Sequence, residues 1–238
     1  MEEDFQNVYA DDARAAAYAD LEYPGTYYLA FRDLPLLIKR HCVGRTALDF
    51  GCGTGRSTRF LRDLGFDVVG VDIAEHMLRR ARERDPGGDY RLIGDGDLTG
   101  LSGGFDLIFC AFTFDNIPNA SLRLRLFKGM GQLLSENGRI INLVSAPEIY
   151  INEWASFSTK DFPENRAAQG GDRVRIVMLD VPDRRPIEDV LWTEADYRRL
   201  YSGAGLDVLE MHAPLGRPSD PCSWVTEEKV SPWGIYVL

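Results

Sequence analysis

The chain has 238 residues, 45% of them hydrophobic and 27% charged, which suits one soluble domain with room for a real core. A net charge of −10 argues against a sequence-independent grip on nucleic acid or anionic membrane, which needs clustered Lys and Arg. No apolar run reaches the length of a membrane span, and the acidic start "MEEDFQNVYADD" lacks a signal-peptide core, so a cytoplasmic location is expected. Cys42, Cys52, Cys110 and Cys222 form no CxxC pair; no zinc site is expected, and Cys52 and Cys110 read as buried structural thiols.

Residues 1–45 read as helical and aromatic. "DDARAAAYADLE" favours a helix, and "TYYLAFRDLPLLIKRH" continues it after Pro24-Gly25, with Pro35 marking a break or a new first turn. From Thr46 the pattern alternates. "TALDF", "DVVGVD", "YRLIGD", "FDLIFCAF" and "RIINLVS" read as buried strands. Between them lie the helical stretches "GRSTRFLRDLG", "AEHMLRRARERD" and "ASLRLRLFKGMGQLLSENG", stopped by Gly65, Pro86 and Gly138 respectively. Such alternation predicts a parallel sheet covered on both faces, with the ligand site beyond the carboxyl ends of the strands. Residues 146–192 break the rhythm: "WASFST" and "RVRIVMLDV" read as strands of an insertion or cover. A helix follows in "TEADYRRLYSGAGL", with Thr193 as N-cap and Asp196 as its capping-box partner. "DVLEMHAPL" and "SPWGIYVL" close the chain as strands.

The first of the alternating strands runs into Gly51, Gly53 and Gly55. A dinucleotide fingerprint needs a further glycine where Arg56 stands, and the phosphate-loop pattern GxxxxGK[ST] is absent, so this turn is not built for a pyrophosphate. Asp72 ends the second strand, placed to accept both hydroxyls of a ribose or to cap the next helix. "GDGDL" ends the third strand, with Asp95 facing an adenine amino group and the Gly96 amide a ring nitrogen.

"LDFGCGTG", "VVGVDIAEHML", "LIGDGDL" and "FDLIFCAFTFDNIPN", in this order and spacing, resemble the class I S-adenosylmethionine-dependent methyltransferases, strongly over residues 46–145 and more loosely beyond. The resemblance implies one α/β domain: a doubly wound, mostly parallel seven-stranded sheet of the Rossmann-like methyltransferase type. Residues 1–45 would form a helical lid, 46–145 the cofactor-binding core, 146–192 a small insertion covering the active site, and 193–238 the closing helix and strands. The cofactor would be S-adenosylmethionine, leaving as S-adenosylhomocysteine. Asp49, Gly51, Cys52 and Gly53 would line its methionine part, unless Asp49 is a structural carboxylate orienting the loop. Asp72 would hold the ribose, Ile73 and Met77 would pack on the adenine, and Asp95, Gly96 and Asp97 would bound its edge. Cys110 and Ala111 would offer backbone near the amino group, and Arg32 either meets the cofactor carboxylate or pairs on the surface.

A methyl group on a sulfonium needs only a nucleophile held in line and, for a hydroxyl or acidic carbon, a base. Asp115 is the candidate base or amine-binding carboxylate, or else a turn residue before Pro118; Asn116 beside it would face substrate. Tyr28 or Phe112 would face the sulfonium or pack in the core. Tyr150 and Trp154, with Phe157, would roof the acceptor pocket. His41 and His76 read as structural or surface residues, and His212 as a weaker functional candidate. The adenine- and glutamine-methylating signature (N/D)PPY is absent, as are a basic face for RNA and a carboxylate set for magnesium. A small-molecule acceptor remains. The alternatives are a non-catalytic cofactor-binding or regulatory protein of the same fold, and a nicotinamide dehydrogenase, against which Arg56 argues.

Overall fold

The computed structural model describes residues 22–94 and 96–238; the expected helix in "DDARAAAYADLE" and the site residue Asp95 lie outside them. Helices α1 (Thr26–Arg32) and α2 (Leu34–His41) are separated by Asp33 alone, and Pro35 sits in the first turn of α2, where its missing N–H leaves no bond unmade. Then come β1 (Thr46–Phe50), α3 (Arg56–Asp63), β2 (Asp67–Asp72), α4 (Glu75–Arg84), β3 (Asp89–Leu92), β4 (Phe105–Ala111), α5 (Ala120–Leu133) and β5 (Leu134–Ser145). The insertion contributes β6 (Phe157–Ser158), β7 (Arg173–Met178) and β8 (Ile187–Val190), and the chain closes with α6 (Glu194–Ala204), β9 (Glu210–His212) and β10 (Trp233–Val237).

Seven strands form one sheet in the order β3-β2-β1-β4-β5-β10-β9. The first five run parallel; β10 is antiparallel to both of its neighbours. Successive residues of β4 alternate between two cores. Leu107 and Phe109 pack with α1, α2 and the insertion, while Ile108 and Cys110 pack with α5 and α6. This is the doubly wound arrangement that the near-continuous apolar strands predict.

Four expectations are corrected. The helix expected to reach Gly138 stops at Leu133, because Leu134 already pairs with Phe105 of β4. Gly138 is not a helix stop: a Cβ there would meet the Phe105 carbonyl oxygen at 2.5 Å, so glycine allows β4 and β5 to approach. The described part of the N-terminal segment is no lid. Leu29, Ala30 and Leu34 are fully buried in the core on one face of the sheet, and no residue of 22–45 lines the cleft described below. The insertion packs on that same face, as a separate antiparallel sheet β6-β7-β8. Its third strand, "IEDV", was masked in the sequence by its two carboxylates, Glu188 and Asp189. The capping box of α6 forms as expected: the Thr193 hydroxyl accepts from the Asp196 amide, and the Asp196 carboxylate accepts from the Thr193 amide, a cap worth about 1 kcal/mol.

Candidate active site

The glycine turn leaves the carboxyl end of β1 in the middle of the sheet. Gly51 and Cys52 donate their amides to the Val71 carbonyl at 2.8 and 3.0 Å, which ties the turn to β2. Gly51 (φ 74°) and Gly53 (φ 53°) occupy left-handed backbone conformations that side-chain-bearing residues avoid. A Cβ on Gly51 would also strike the Thr113 side chain at 2.4 Å, so this glycine lets the first strand's turn and the fourth strand's turn close together. Thr113 in turn donates its hydroxyl to the Phe50 carbonyl at 2.9 Å. Asp72, at the end of β2, accepts from the Gly53 amide at 2.8 Å through one carboxylate oxygen and from the Ala74 amide at 2.9 Å through the other. Burial raises its pKa, while these backbone donors pull it down. Each oxygen keeps acceptor capacity toward the space in front of it.

That space is a cleft of about 160 Å³ over the carboxyl ends of β1, β2 and β4. Among the predicted residues, Gly51, Gly53, Asp72, Ile73, Met77, Gly96, Ala111, Phe112 and Asn116 line it. Phe112 is the one non-glycine residue with positive φ among those described (62°), a strained conformation that clusters at functional sites. Its ring rests on Tyr27 and Trp233, with centroids 5.8 and 4.8 Å away. Phe50, Ala74, Ile93, Thr113, Ile117 and Leu126 complete the wall, and the motifs do not mark them. Thr113 had a readable signal, as it lies at the exit of the fourth strand; the others are apolar residues like any in a core.

The remaining candidates lie elsewhere. Asp49 is fully buried beneath the turn, where Ser57 and Thr58 donate their hydroxyls to one oxygen at 2.7 and 2.6 Å; burial lifts its pKa to about 6 despite them. Its other oxygen has no partner among the described residues. Cys52 turns its side chain away from the cleft to pack with Leu78, Ala81 and Tyr90, and Cys110 packs its sulfur 3.7 Å from that of Met130. Burial pushes both thiols well up, as inert structural cysteines should be. Asp97 is exposed and accepts from the Thr99 amide and hydroxyl. Arg32 does not line the cleft: it is clamped by Asp33, by Asp220 at 2.8 Å and by the Leu215 carbonyl at 3.0 Å, which take up four of its five N–H groups. Tyr28 packs beside Trp224, with ring centroids 6.5 Å apart, and does not line the cleft.

Asp115 is buried behind the cleft, not in it. Its carboxylate accepts from the Ser145 amide and from the Ser145 hydroxyl at 2.8 Å. Tyr150 is core: it is 2% exposed and donates its hydroxyl to Asp189 at 3.0 Å. Trp154 is likewise buried, donating its indole N–H to the Ile149 carbonyl at 2.8 Å. Of the histidines, His41 pairs with Glu210 and His212 with Asp33, at 2.6 and 2.9 Å, both away from the cleft. No cluster of three metal-ligating side chains occurs among the described residues.

Residues 47–138 match the family model of a methyltransferase domain, the same span that carries the glycine turn, Asp72 and the wall of the cleft. Over this span the chain is similar to the methyltransferase domains that the family model describes. A 2-methyl-6-phytyl-1,4-hydroquinone methyltransferase of Synechocystis is 28% identical to it over 63% of this chain and 54% of its own length. A dTDP-3-amino-3,6-dideoxy-α-D-glucopyranose N,N-dimethyltransferase of Streptomyces fradiae is 26% identical over 80% and 82%. The chain thus spans about half of the first of these relatives and most of the second. Among solved structures, an S-adenosylmethionine-dependent methyltransferase from Clostridium acetobutylicum superposes with a TM-score of 0.63 at 18% identity, covering 92% of each chain. The CcbJ methyltransferase of Streptomyces caelestis gives 0.64 at 19%, covering 91% of this chain and 98% of its own. These two likenesses establish the fold.

S-adenosylmethionine, the cofactor that this similarity implies, fits the residues of the cleft. The backbone of the turn at Gly51 and Gly53 carries no side chain that would fill the space, and a fixed carboxylate stands at the end of β2. Ile73, 49% exposed, and Met77 offer an apolar flank next to that carboxylate.

Proposed function

We propose that the protein transfers a methyl group from S-adenosylmethionine to a small-molecule acceptor. The observation that carries this reading is Asp72: a carboxylate held by two backbone amides, one from the glycine turn, on the wall of an otherwise largely apolar cleft. The bound cofactor supplies an activated methyl on a sulfonium. The chain's own residues position and shield. Asp72 accepts the two ribose hydroxyls, Ile73 and Met77 cover one side of the adenine, and Gly96 bounds its edge. Gly51 and Gly53 let the backbone approach the amino-acid end, near Ala111. Phe112 and Asn116 border the acceptor's approach. Holding donor and acceptor in line in a water-poor cleft supplies most of what such a transfer needs.

Asp72 is the one carboxylate among the described lining residues, and the ribose would occupy it. The acceptor therefore brings its nucleophile in reactive form, or carries its own acidity. The relatives' names include a hydroquinone and an amino sugar, both small molecules, and the net charge of −10 favours such an acceptor over nucleic acid. No described helix is long and apolar enough to cross a membrane, and a cytoplasmic location is part of this reading.

The test is calorimetric titration with S-adenosylhomocysteine, with NAD as control, followed by transfer assays on hydroquinone and amino-sugar acceptors. Micromolar or tighter binding of S-adenosylhomocysteine alone, with a methylated product, is the expected result. Binding without any product would favour a regulatory protein of the same fold, and binding of NAD instead would overturn the reading.

A further inference from the structure

A second cavity, of about 500 Å³, opens between the carboxyl end of β5, the start of β10 and the first turn of α6. It shares no lining residue with the cofactor cleft. Two contacts wall the cavities apart. Ser145, on the second cavity, donates to Asp115 in the turn that carries Thr113 and Asn116, and Trp233 lies against Phe112.

The chemistry of the lining is specific. Trp192, Tyr197, Tyr236 and Met211 form an aromatic and apolar body. Two carboxylates, Glu148 and Glu194, stand on exposed positions around it, and no Lys or Arg lines it. Glu194 is engaged with Arg198 at 2.7 Å, whereas the Glu148 carboxylate has no partner among the described residues. Tyr236 is only 3% exposed, yet its hydroxyl makes no hydrogen bond to a described residue; burial pushes its pKa up, Glu194 and Glu148 add to that, and Arg198 opposes it. The Trp192 indole N–H is buried and also unpartnered. Arg123 covers the Trp192 ring at 4.0 Å but does not line the cavity. Buried polar groups are nearly always paired, so an unpaired hydroxyl on a side chain as buried as Tyr236, at a cavity wall, marks a place where a donor such as an ammonium completes the bonding.

We propose that this cavity is an accessory binding site for a small organic amine with an apolar ring, its ammonium against Glu148 and its body between Tyr236, Tyr197 and Met211. An ammonium is attracted both to a free carboxylate and to aromatic faces, while a carboxylate ligand would be repelled by Glu148 and Glu194. The wall of Phe112, Trp233 and Ser145 makes this a site separate from the place of methyl transfer. The inference does not depend on the cofactor reading.

Three ligands with the same ring and different charge test it by calorimetry: cyclohexylamine, cyclohexanol and cyclohexanecarboxylate. The amine is expected to bind saturably, the alcohol about tenfold more weakly and the carboxylate not at all. Glu148→Gln should weaken the amine about tenfold, one hydrogen-bonded charge. Ala213→Phe, at an exposed position on the cavity, should block it by filling the space. S-adenosylhomocysteine titration and melting temperature, both expected to be unchanged, show that each variant is folded. Absence of saturable amine binding, equal binding of the alcohol, or amine binding indifferent to Glu148→Gln would overturn the proposal. Methylation of the amine by the cofactor-loaded protein would overturn the separation of the two sites. A failure of S-adenosylhomocysteine to bind the unaltered protein would instead count against the methyltransferase reading alone.

Discussion

The cofactor cleft and the packed interior behind it each hold aspartates, and they use them in opposite ways. In the cleft, Asp72 is fixed by backbone amides, which come with the turn and leave the carboxylate facing open space. Behind the cleft and in the insertion, Asp115 and Asp189 are bonded by side chains, Ser145 and Tyr150, inside a closed interior. A carboxylate held by backbone at the edge of a cavity is presented to a ligand, whereas one held by neighbouring side chains in the core joins elements together. β8, which carries Asp189, packs against the turn that carries Asp115, so the two buried carboxylates lie at the join between the insertion and the back of the active site, each bonded on its own side of it.

The sharpest way to break this comparison is Asp72→Ala. Loss of a charged hydrogen-bond partner is worth about 1.5–3 kcal/mol, so S-adenosylhomocysteine affinity should fall about 10- to 100-fold by calorimetry. An unchanged affinity would remove Asp72 from the site.

Asp115→Ala should do the reverse. It strands the buried Ser145 amide and lowers stability by about 2 kcal/mol in denaturant unfolding, with cofactor affinity nearly preserved. A large loss of turnover in a variant of undiminished stability would restore Asp115 as a catalytic group.

Arg32→Ala releases Asp33, Asp220 and the Leu215 carbonyl, and about 1 kcal/mol of stability is expected to go with them; S-adenosylhomocysteine titration should show no change. A tenfold loss of affinity would put Arg32 back at the cofactor carboxylate.

At acidic pH the smallest effect is expected from Asp189→Asn. Burial, and then the charge of Asp115, hold the Asp189 pKa above the ordinary carboxylate range. The folded protein therefore binds more protons than the unfolded chain between the two values. This contribution to stability is fully present below the ordinary range and is lost as pH rises toward the raised value. The asparagine variant should match the unaltered protein within about 1 kcal/mol at acidic pH, where Asp189 is protonated. It should gain on it as pH increases, in melting curves taken across that window. Parallel pH profiles for the two proteins would show that Asp189 titrates alike in both states.

The parts of the molecule legible in the sequence are those written by local rules. The strand "TALDF", the strand "DVVGVD" and the aspartate closing it follow from apolar runs ended by turn residues, and they appear at those bounds. The α6 capping box is a four-residue pattern and forms as written. The glycine turn could be placed because left-handed backbone strongly favours glycine, Phe112 being the exception among the described residues.

Side-chain destination was legible only where the backbone fixes it. The sequence puts Asp49 on a buried strand and Cys52 in the turn that follows, but does not say that Asp49 meets α3 or that Cys52 turns its back on the cleft. Arg32 finds Asp220 at a separation of 188 positions, and Tyr150 finds Asp189 on a strand whose polar sequence concealed it. The sequence by itself determined the order of strands and helices, the glycine turn and the carboxylate at the end of β2, since each depends on neighbours a few residues away. Only the tertiary structure decided which aromatic and acidic side chains face a ligand and which close the core, because that choice is made by packing partners far along the chain.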